Sequence, residues 1–329
     1  MTSTLPLVQI HKLKKHFFLQ NNLLKAVDDV TLDIYSGETL GLVGESGCGK
    51  STLGKILLRL ETPTEGTIHF DSNNLSILSS QEKKMMCRKM QIIFQDPYSS
   101  LNPRMTIADI LKEPFKIHSL FSKKQLEEEI KKLLDLVGIH SSFLRRYPHE
   151  LSGGQRQRIG IARALALRPQ FVVCDEPVSS LDVSVQAQIV NLLKDLQSEL
   201  KLTYLFIAHD LGIIKYISSR VAVMYLGKLI ELASTEDLYQ NPLHPYTQAL
   251  LSSIPIPDPK LERKKTKILL QGEPPQLTGS VKGCIFSSRC PYAEPLCHQI
   301  RPKWREVSSG HFTACHRLTP LDSPLKIVQ

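Results

Sequence analysis

The first third of the chain alternates apolar and polar residues in the manner of half-buried strands. Apolar residues between positions 30 and 34 alternate with polar ones, and a period of two is typical of a strand with one buried face. After a turn at Ser36-Gly37, the apolar run 39–43 predicts a short strand that leads into a glycine-rich loop. Residues 51–60 then place apolar side chains at helical spacing. The chain is therefore expected to pass from strand through loop to helix.

The middle of the chain changes to a helical pattern. Residues 122–125 form a capping-box signature, and Gly138 stands where a helix would stop. The apolar residues that share one helical face between these signals are Leu126, Ile130, Leu133, Leu134 and Val137. We therefore predict a helical insert over about residues 97–159 within an α/β domain.

An α/β pattern then resumes. The runs 171–174 and 204–208 are apolar on both faces, which is typical of central parallel strands covered by helices. Leucines and isoleucines between 189 and 200 predict the helix that connects them, and residues 221–232 predict a terminal hairpin. The fold class is thus α/β, with a mixed sheet at its core, an N-terminal antiparallel part and a helical insert.

The amino-acid composition changes again after Ser253. Prolines interrupt any long element at 255, 257, 259, 274 and 275, and cysteines follow at 284, 290, 297 and 315. We predict a main domain over residues 1–253 and a small cysteine-containing extension over residues 254–329.

Length and composition agree with a globular protein of this organisation. At 329 residues the chain exceeds what one hydrophobic core usually organises. No apolar run approaches the roughly 20 residues that cross a bilayer, and the N-terminus has no apolar stretch after its lysines, so it does not resemble a signal peptide. We expect a cytoplasmic protein.

The net charge of +9 does not by itself identify a binding partner. The main basic cluster, between Lys260 and Lys267, lies in a stretch that resembles a linker. No recognised nucleic-acid module accompanies it, so we expect no nucleic-acid partner. Positive charge would also suit a subunit docked beneath anionic lipid.

The glycine-rich loop has the spacing of a phosphate-binding loop. It comprises Gly44, Glu45, Ser46, Gly47, Cys48, Gly49, Lys50 and Ser51, between a predicted strand and a predicted helix. Glycines let backbone N–H groups turn inward around phosphate oxygens. We expect Lys50 to reach the β- and γ-phosphates of a nucleotide, Ser51 to ligate Mg²⁺ and Thr52 to assist at the α-phosphate.

Acidic and polar residues follow the predicted strands. Asp175 and Glu176 end a buried strand, the usual place for ligands in an open α/β sheet. We expect Asp175 to hold Mg²⁺ and Glu176 to polarise the attacking water. His209 follows the next strand and could bond the γ-phosphate, and Gln95 could contact Mg²⁺ or the water.

A second candidate anion site lies at the start of another helix. Its residues are Ser152, Gly153, Gly154 and Gln155. Since one chain has one phosphate loop and one such site, a γ-phosphate held by both requires two chains packed head to tail.

These motifs, in this order, resemble the ATPase subunits of ABC transporters over about residues 8–253. The resemblance implies a P-loop NTPase fold, with Gly44–Ser51 as Walker A, Gln95 as the Q-loop, Leu151–Gln155 as the signature, Asp175 and Glu176 closing Walker B, Asp182 in the D-loop and His209 as the switch histidine. It also implies an aromatic residue that stacks on adenine, for which Phe17 is the first choice and Phe18 the second.

Two further segments and the cysteine tail narrow the resemblance. Residues 95–103 and 241–247 are similar to those of dipeptide/oligopeptide importer ATPases, particularly the second ATPase of the pair. The resemblance implies a paralogous ATPase partner, two transmembrane permeases, an extracytoplasmic peptide-binding protein and a location on the cytoplasmic face of the inner membrane. Other cargoes, such as a nickel chelate or glutathione, stay open, as does a soluble non-transport ATPase or a subunit that only binds ATP.

The four tail cysteines suggest a metal. Cys284, Cys290, Cys297 and Cys315 have the spacing C-x5-C-x6-C-x17-C, and stable disulfides are uncommon in the cytosol. The absence of a C-x2-C pair weakens the case for zinc, and His298, His311 and His316 leave a mixed site open. The family resemblance implies a [4Fe–4S] cluster held by the four cysteines, with zinc or no metal as alternatives.

Overall fold

The computed structural model describes residues 5–19, 22–255, 258–264, 267–270, 272 and 281–317. Of the residues singled out above, Pro257, Pro274 and Pro275 lie outside this part. The described residues form two compact units. The first unit comprises Leu5, Tyr35–Gly37 and Ile77–Ile207, and the second unit comprises the remainder.

The described strands alternate with helices along most of the chain. In chain order the strands are β1 (Pro6–Leu19), β2 (Asn22–Tyr35), β3 (Thr39–Val43), β4 (Glu65–Phe70), β5 (Asn73–Asn74), β6 (Met90–Ile93), β7 (Phe171–Asp175), β8 (Thr203–Ile207), β9 (Arg220–Tyr225), β10 (Lys228–Ser234), β11 (Arg305–Ser308) and β12 (His311–Thr313).

The helices fall between the strands and in the predicted insert. They are α1 (Lys50–Leu57), α2 (Ser80–Lys89), α3 (Pro97–Ser100), α4 (Ile107–His118), α5 (Lys123–Leu136), α6 (Gly153–Leu165), α7 (Val183–Leu200), α8 (Leu211–Ile217), α9 (Thr235–Gln240), α10 (Pro245–Ser252), α11 (Pro259–Lys264) and α12 (Pro295–Gln299). Short 3₁₀ turns occupy Leu75–Ile77, Ser141–Arg145 and Pro148–Glu150.

The first unit contains a parallel sheet in the order β8-β7-β6. Val173 of β7 is paired with Ile92 of β6 on one side and Leu205 of β8 on the other. Every residue of β7 and β8 is buried, as expected for parallel strands covered on both faces. The prediction of central parallel strands from the two apolar runs is confirmed.

Helix α5 shows why the insert is helical. The Ser122 N–H and hydroxyl both donate to the Gln125 side-chain oxygen at the start of the helix, and Gly138 follows its end at φ 66°. The predicted apolar face is buried, with no residue more than 9% exposed. Burial of that face stabilises the helix more than its intrinsic propensity does.

The second unit contains two sheets. One is antiparallel in the order β2-β1-β4-β5, with Ile10 of β1 opposite Ile68 of β4. In the other, β3 runs parallel to β9, with Leu42 paired to Ala222. Strands β9 and β10 form the predicted hairpin, turned at Gly227 with φ 76°.

Part of the C-terminal extension continues this second sheet. Strand β12 pairs antiparallel with β10, and β11 pairs with β12. The buried Glu231 carboxylate of β10 accepts the N–H groups of Leu243 and His244 and contacts His311 Nε2 at 2.8 Å. A carboxylate with this many hydrogen-bond partners tolerates burial. Its contact with His311 helps to hold β12 against the sheet. The prolines and cysteines of the sequence gave no sign of this pairing.

Candidate functional site

The glycine-rich loop between β3 and α1 wraps around its own lysine. Lys50 is only 4% exposed, and its Nζ donates to the carbonyl oxygens of Gly44 at 2.8 Å and Glu45 at 3.0 Å. These contacts place a positive charge inside the loop at the N-terminus of α1. A helix N-terminus and an ammonium group together favour a bound anion.

Two glycines in this loop are required by the backbone. Gly44 has φ 152°, and a Cβ there would lie 2.1 Å from the Met224 carbonyl oxygen. Gly49 has φ 105°, and a Cβ there would lie 2.0 Å from the Ala26 carbonyl oxygen. Any side chain would strain the loop or push it away from β9 and β2. Ser46 and Gly47 at the tip of the loop are exposed.

The acidic residues lie at the carboxyl end of β7 in the first unit. Asp175 is 7% exposed, and Glu176 adopts φ 47° while its N–H donates to Ile207 O at 2.9 Å. Gln95 Nε2 donates to Glu176 Oε2 at 2.9 Å. Two of the three predicted catalytic residues are therefore in direct contact. A left-handed glutamate held in this way is the kind of local strain that accompanies functional sites.

The second candidate anion site forms the start of α6. Ser152 is exposed and caps the helix, since its Oγ accepts the Gln155 N–H at 3.3 Å and its own N–H donates to Gln155 Oε1 at 3.0 Å. Gly154 lets the helix approach its neighbour, because a Cβ there would lie 2.6 Å from Val185 Cγ1. Asp182 is exposed at the N-cap of α7 and makes no capping hydrogen bond from its side chain.

His209 and Phe17 belong to the second unit, whereas Glu176 belongs to the first. His209 is exposed and lies directly before Asp210, which caps α8 by accepting the Gly212 N–H at 2.7 Å. Phe17 is half-buried on β1, with Lys15 Nζ 4.8 Å from its ring centroid. Phe18 is 87% exposed.

The four tail cysteines line one cavity of about 160 Å³ in the second unit, together with His244 and His316. All four are free thiols. Burial raises the pKa of Cys284, Cys290 and Cys315, to about 11 for Cys315. Thiols of this kind stay protonated at neutral pH unless a metal displaces their protons.

The cavity is lined by thiols, which suit a soft metal, but these thiols are not arranged as metal ligands. Within the described residues, no three His, Cys, Asp or Glu side chains come close enough to hold a metal ion. His311, one candidate for a mixed site, is instead bonded to Glu231, and His316 Nε2 contacts Ile300 O at 2.8 Å. The side chains present therefore share a cavity without forming a coordination sphere, and the predicted cluster is not supported by this geometry.

Sequence reasoning missed two residues next to the phosphate loop. The Tyr246 hydroxyl accepts the Glu45 N–H at 2.8 Å, and Arg289 forms a bidentate ion pair with the Glu45 carboxylate. Tyr246 lay within a segment noted for its resemblance. Arg289 has no sequence signal, because it stands 244 positions from its partner.

None of the described helices is both long enough and apolar enough to span a bilayer.

Comparison with known proteins gives two family matches. Residues 27–179 match the family described as ABC transporter, and residues 230–297 match the family described as oligopeptide/dipeptide transporter, C-terminal region. A putative oligopeptide transport ATP-binding protein of Bacillus subtilis, YkfD, is 57% identical over 95% of each chain. The oligopeptide transport ATP-binding protein AppF of the same organism is 51% identical over 94% of this chain and 97% of its own.

A solved structure shares the fold. The ATP-binding cassette MJ0796, described as a dimer in a post-hydrolysis state bound to ADP and Pi, has a TM-score of 0.64 at 28% identity. The match covers 69% of this chain and 98% of MJ0796. The predicted P-loop ATPase fold is thereby confirmed.

Proposed function

Because this chain belongs to the ABC transporter ATPases with an oligopeptide/dipeptide-transporter C-terminal region, we propose that it hydrolyses ATP to drive peptide import. The observation that supports hydrolysis best is the 2.9 Å hydrogen bond from Gln95 to Glu176 at the end of β7. It holds the Glu176 carboxylate at the carboxyl end of β7, the edge of an α/β sheet at which ligands usually bind.

The phosphate loop binds ATP with Mg²⁺ in this proposal. Lys50 exchanges its two backbone carbonyl partners for the β- and γ-phosphate oxygens, which accept more strongly because they are charged. Ser51 ligates Mg²⁺, with Asp175 and Gln95 completing its protein contacts. Thr52 bonds the α-phosphate, and Phe17 stacks on the adenine.

Glu176 acts as the general base. A water molecule attacks the γ-phosphorus, its proton passes to the Glu176 carboxylate, and the bond to the ADP oxygen breaks. Gln95 orients Glu176 through the hydrogen bond seen here. His209 bonds the γ-phosphate and stabilises the charge that develops on it.

The signature residues act on a nucleotide bound by another chain. Ser152 and the N–H groups of Gly153 and Gly154 lie at the exposed start of α6, where they can meet the γ-phosphate of a partner's ATP. Gln155 fixes this end through the capping box, and Asp182 serves as the D-loop residue of the proposed site. The dimeric structure of MJ0796 supports this arrangement. We propose a paralogous ATPase as the partner.

The same proposal places the subunit on the cytoplasmic face of the inner membrane, against two permeases that an extracytoplasmic peptide-binding protein supplies. Peptide is the favoured cargo because relatives that match 95% and 94% of this chain are named for oligopeptide transport. Import of a nickel chelate or of glutathione is the alternative that the following test decides, and a soluble role outside transport is a less favoured alternative.

Uptake by a strain that lacks the gene tests the cargo. Restoring the wild-type chain should restore uptake of labelled di- and oligopeptides, and Lys50→Ala should abolish it because the loop loses its buried cation. Lys83→Ala, which removes an exposed lysine from α2, serves as the matched control and should behave as wild type. Restored uptake of a nickel chelate or of glutathione, without peptide, would contradict the peptide proposal.

We further propose that the cysteine-lined cavity accommodates the [4Fe–4S] cluster. Four cysteine ligands are what such a cluster takes, and all four line one cavity, where binding would have to draw their sulfur atoms together. Anaerobically purified protein should then absorb broadly at about 400 nm, as thiolate-bound clusters do, and should lose this band when Cys290 is replaced by serine. Zinc without iron on elemental analysis would refute the cluster and favour the zinc alternative.

A further inference from the structure

Arg289, a residue of the C-terminal extension, forms an ion pair with the phosphate loop. Its Nη1 donates to Glu45 Oε2 at 2.7 Å and its Nη2 donates to Glu45 Oε1 at 3.0 Å. The two parallel contacts are the bidentate geometry in which a guanidinium group binds a carboxylate most strongly. Both residues belong to the second unit.

Three further contacts fix this pair. Arg289 Nη1 also lies 3.4 Å from the Tyr225 hydroxyl. The Glu45 N–H donates to the Tyr246 hydroxyl, and the Glu45 carbonyl accepts from Lys50 Nζ. Glu45 is thus held through its amide, its carbonyl and its side chain, and the carbonyl contact joins it to the lysine expected to bind phosphate.

The surroundings of Arg289 show that its position is set by packing. Its side chain is 6% exposed, whereas that of Glu45 is 26% exposed. Tyr225 and Tyr246 pack against Phe286, three residues before Arg289, with ring centroids 5.3 Å and 5.5 Å apart. A guanidinium this deeply buried is costly unless it is paired. The pair with Glu45 offsets that cost and places a positive charge of the extension beside the loop.

We propose that Arg289 is a positioning residue of the nucleotide site, which masks the negative charge of Glu45 and so raises the affinity of the phosphate loop for ATP. The inference rests on the proposed function, in that the loop must bind ATP. It assigns the C-terminal extension a part in nucleotide binding that no motif in the sequence suggests.

The charge of Glu45 should affect ATP binding in one direction only. Glu45 places a carboxylate in a loop whose remaining groups are arranged to receive a triphosphate. Unmasked, that charge would repel ATP over a short distance in a medium less polar than water. Removing Arg289 alone should therefore weaken ATP binding, and removing both charges should restore it.

Titration of the full chain with Mg²⁺-ATP in a calorimeter tests this. Arg289→Gln should weaken binding by about tenfold, the effect of one uncompensated charge near a polyanion. The double variant Glu45→Gln with Arg289→Gln should bind within about threefold of wild type, and Arg289→Lys should lie between wild type and Arg289→Gln. Raising the salt concentration should shrink the Arg289→Gln defect, because salt screens charge repulsion but not a packing defect.

The matched control is Arg301→Gln, which removes a positive charge from an exposed arginine of the same extension and should bind ATP as wild type does. Wild-type affinity in Arg289→Gln would overturn the inference. So would a double variant that binds as weakly as the single one, since the defect would then come from lost packing. If Arg289→Gln does not fold, Glu45→Gln decides: it should bind ATP at least as tightly as wild type, and a tenfold loss would overturn the inference.

Failure of the proposed function gives a different result. Wild type and Lys50→Ala would then both fail to bind Mg²⁺-ATP. If wild type binds Mg²⁺-ATP and Lys50→Ala does not, the proposed function is supported. The Arg289 variants then test the role of Arg289 alone.

Discussion

His244 is a buried base that the structure keeps neutral. It is 1% exposed, and its Nδ1 accepts the Tyr246 N–H at 3.1 Å, which a protonated ring could not do. Burial lowers the pKa of His244 to about 4, and the nearby Glu231 carboxylate opposes that shift only in part. In the unfolded chain the pKa of a histidine is about 6.5.

This difference predicts a loss of stability in acid. Above about pH 6.5 the ring is neutral in both states, and between about 6.5 and 4 only the unfolded chain binds the proton. His244 should thus lower the free energy of unfolding by roughly 1.4 kcal/mol per pH unit as the pH falls through that range. His244→Asn keeps a side-chain acceptor for the Tyr246 N–H and should remove this slope. Urea denaturation at pH 7 and pH 5 measures how the free energy of unfolding changes with pH. An equal change in wild type and His244→Asn would contradict the prediction.

Among the elements, helices α2 and α6 both begin with a capping box but differ in expected function. Ser79 caps α2 and forms a capping box with Glu82, while Ser152 caps α6 and forms one with Gln155. Loss of either hydroxyl should cost about 1 kcal/mol of stability. Only the start of α6 belongs to the predicted signature motif.

The paired variants Ser79→Ala and Ser152→Ala separate capping from catalysis. Both should unfold at a similarly lowered urea concentration, whereas only Ser152→Ala should lose ATP hydrolysis in the assembled transporter, by about tenfold or more for a lost anion contact. Equal activity of the two variants would remove Ser152 from the catalytic site.

Local signals in the sequence predicted most of the elements. The box at Ser122, the two apolar runs that became β7 and β8, and the glycine spacing before Lys50 all depend on residues a few positions apart. The pairing of β12 with β10 and the contact of Arg289 with Glu45 depend on residues some 80 and 244 positions apart. Nothing in a single sequence specifies such long-range partners, so the sequence predicts an extension but not its contacts.

At the scale of the whole molecule, the proposed reaction requires a second chain. In the proposed function, the signature motif that completes each nucleotide site comes from a partner. The isolated chain should therefore bind ATP but hydrolyse it slowly, and addition of the partner ATPase and the permeases should raise the rate.

In the proposed mechanism, Glu176 activates the water that hydrolyses ATP. The most direct test is the ATP hydrolysis rate of the assembled transporter carrying Glu176→Gln, with Glu199→Gln, an exposed residue near the end of α7, as the matched control. Glutamine keeps the size of the side chain and an oxygen that can accept from Gln95, but it cannot take the proton. The rate should fall at least about a hundredfold, the usual contribution of a general base, while ATP stays bound. Turnover at the wild-type rate in Glu176→Gln would contradict the role of Glu176 as the general base.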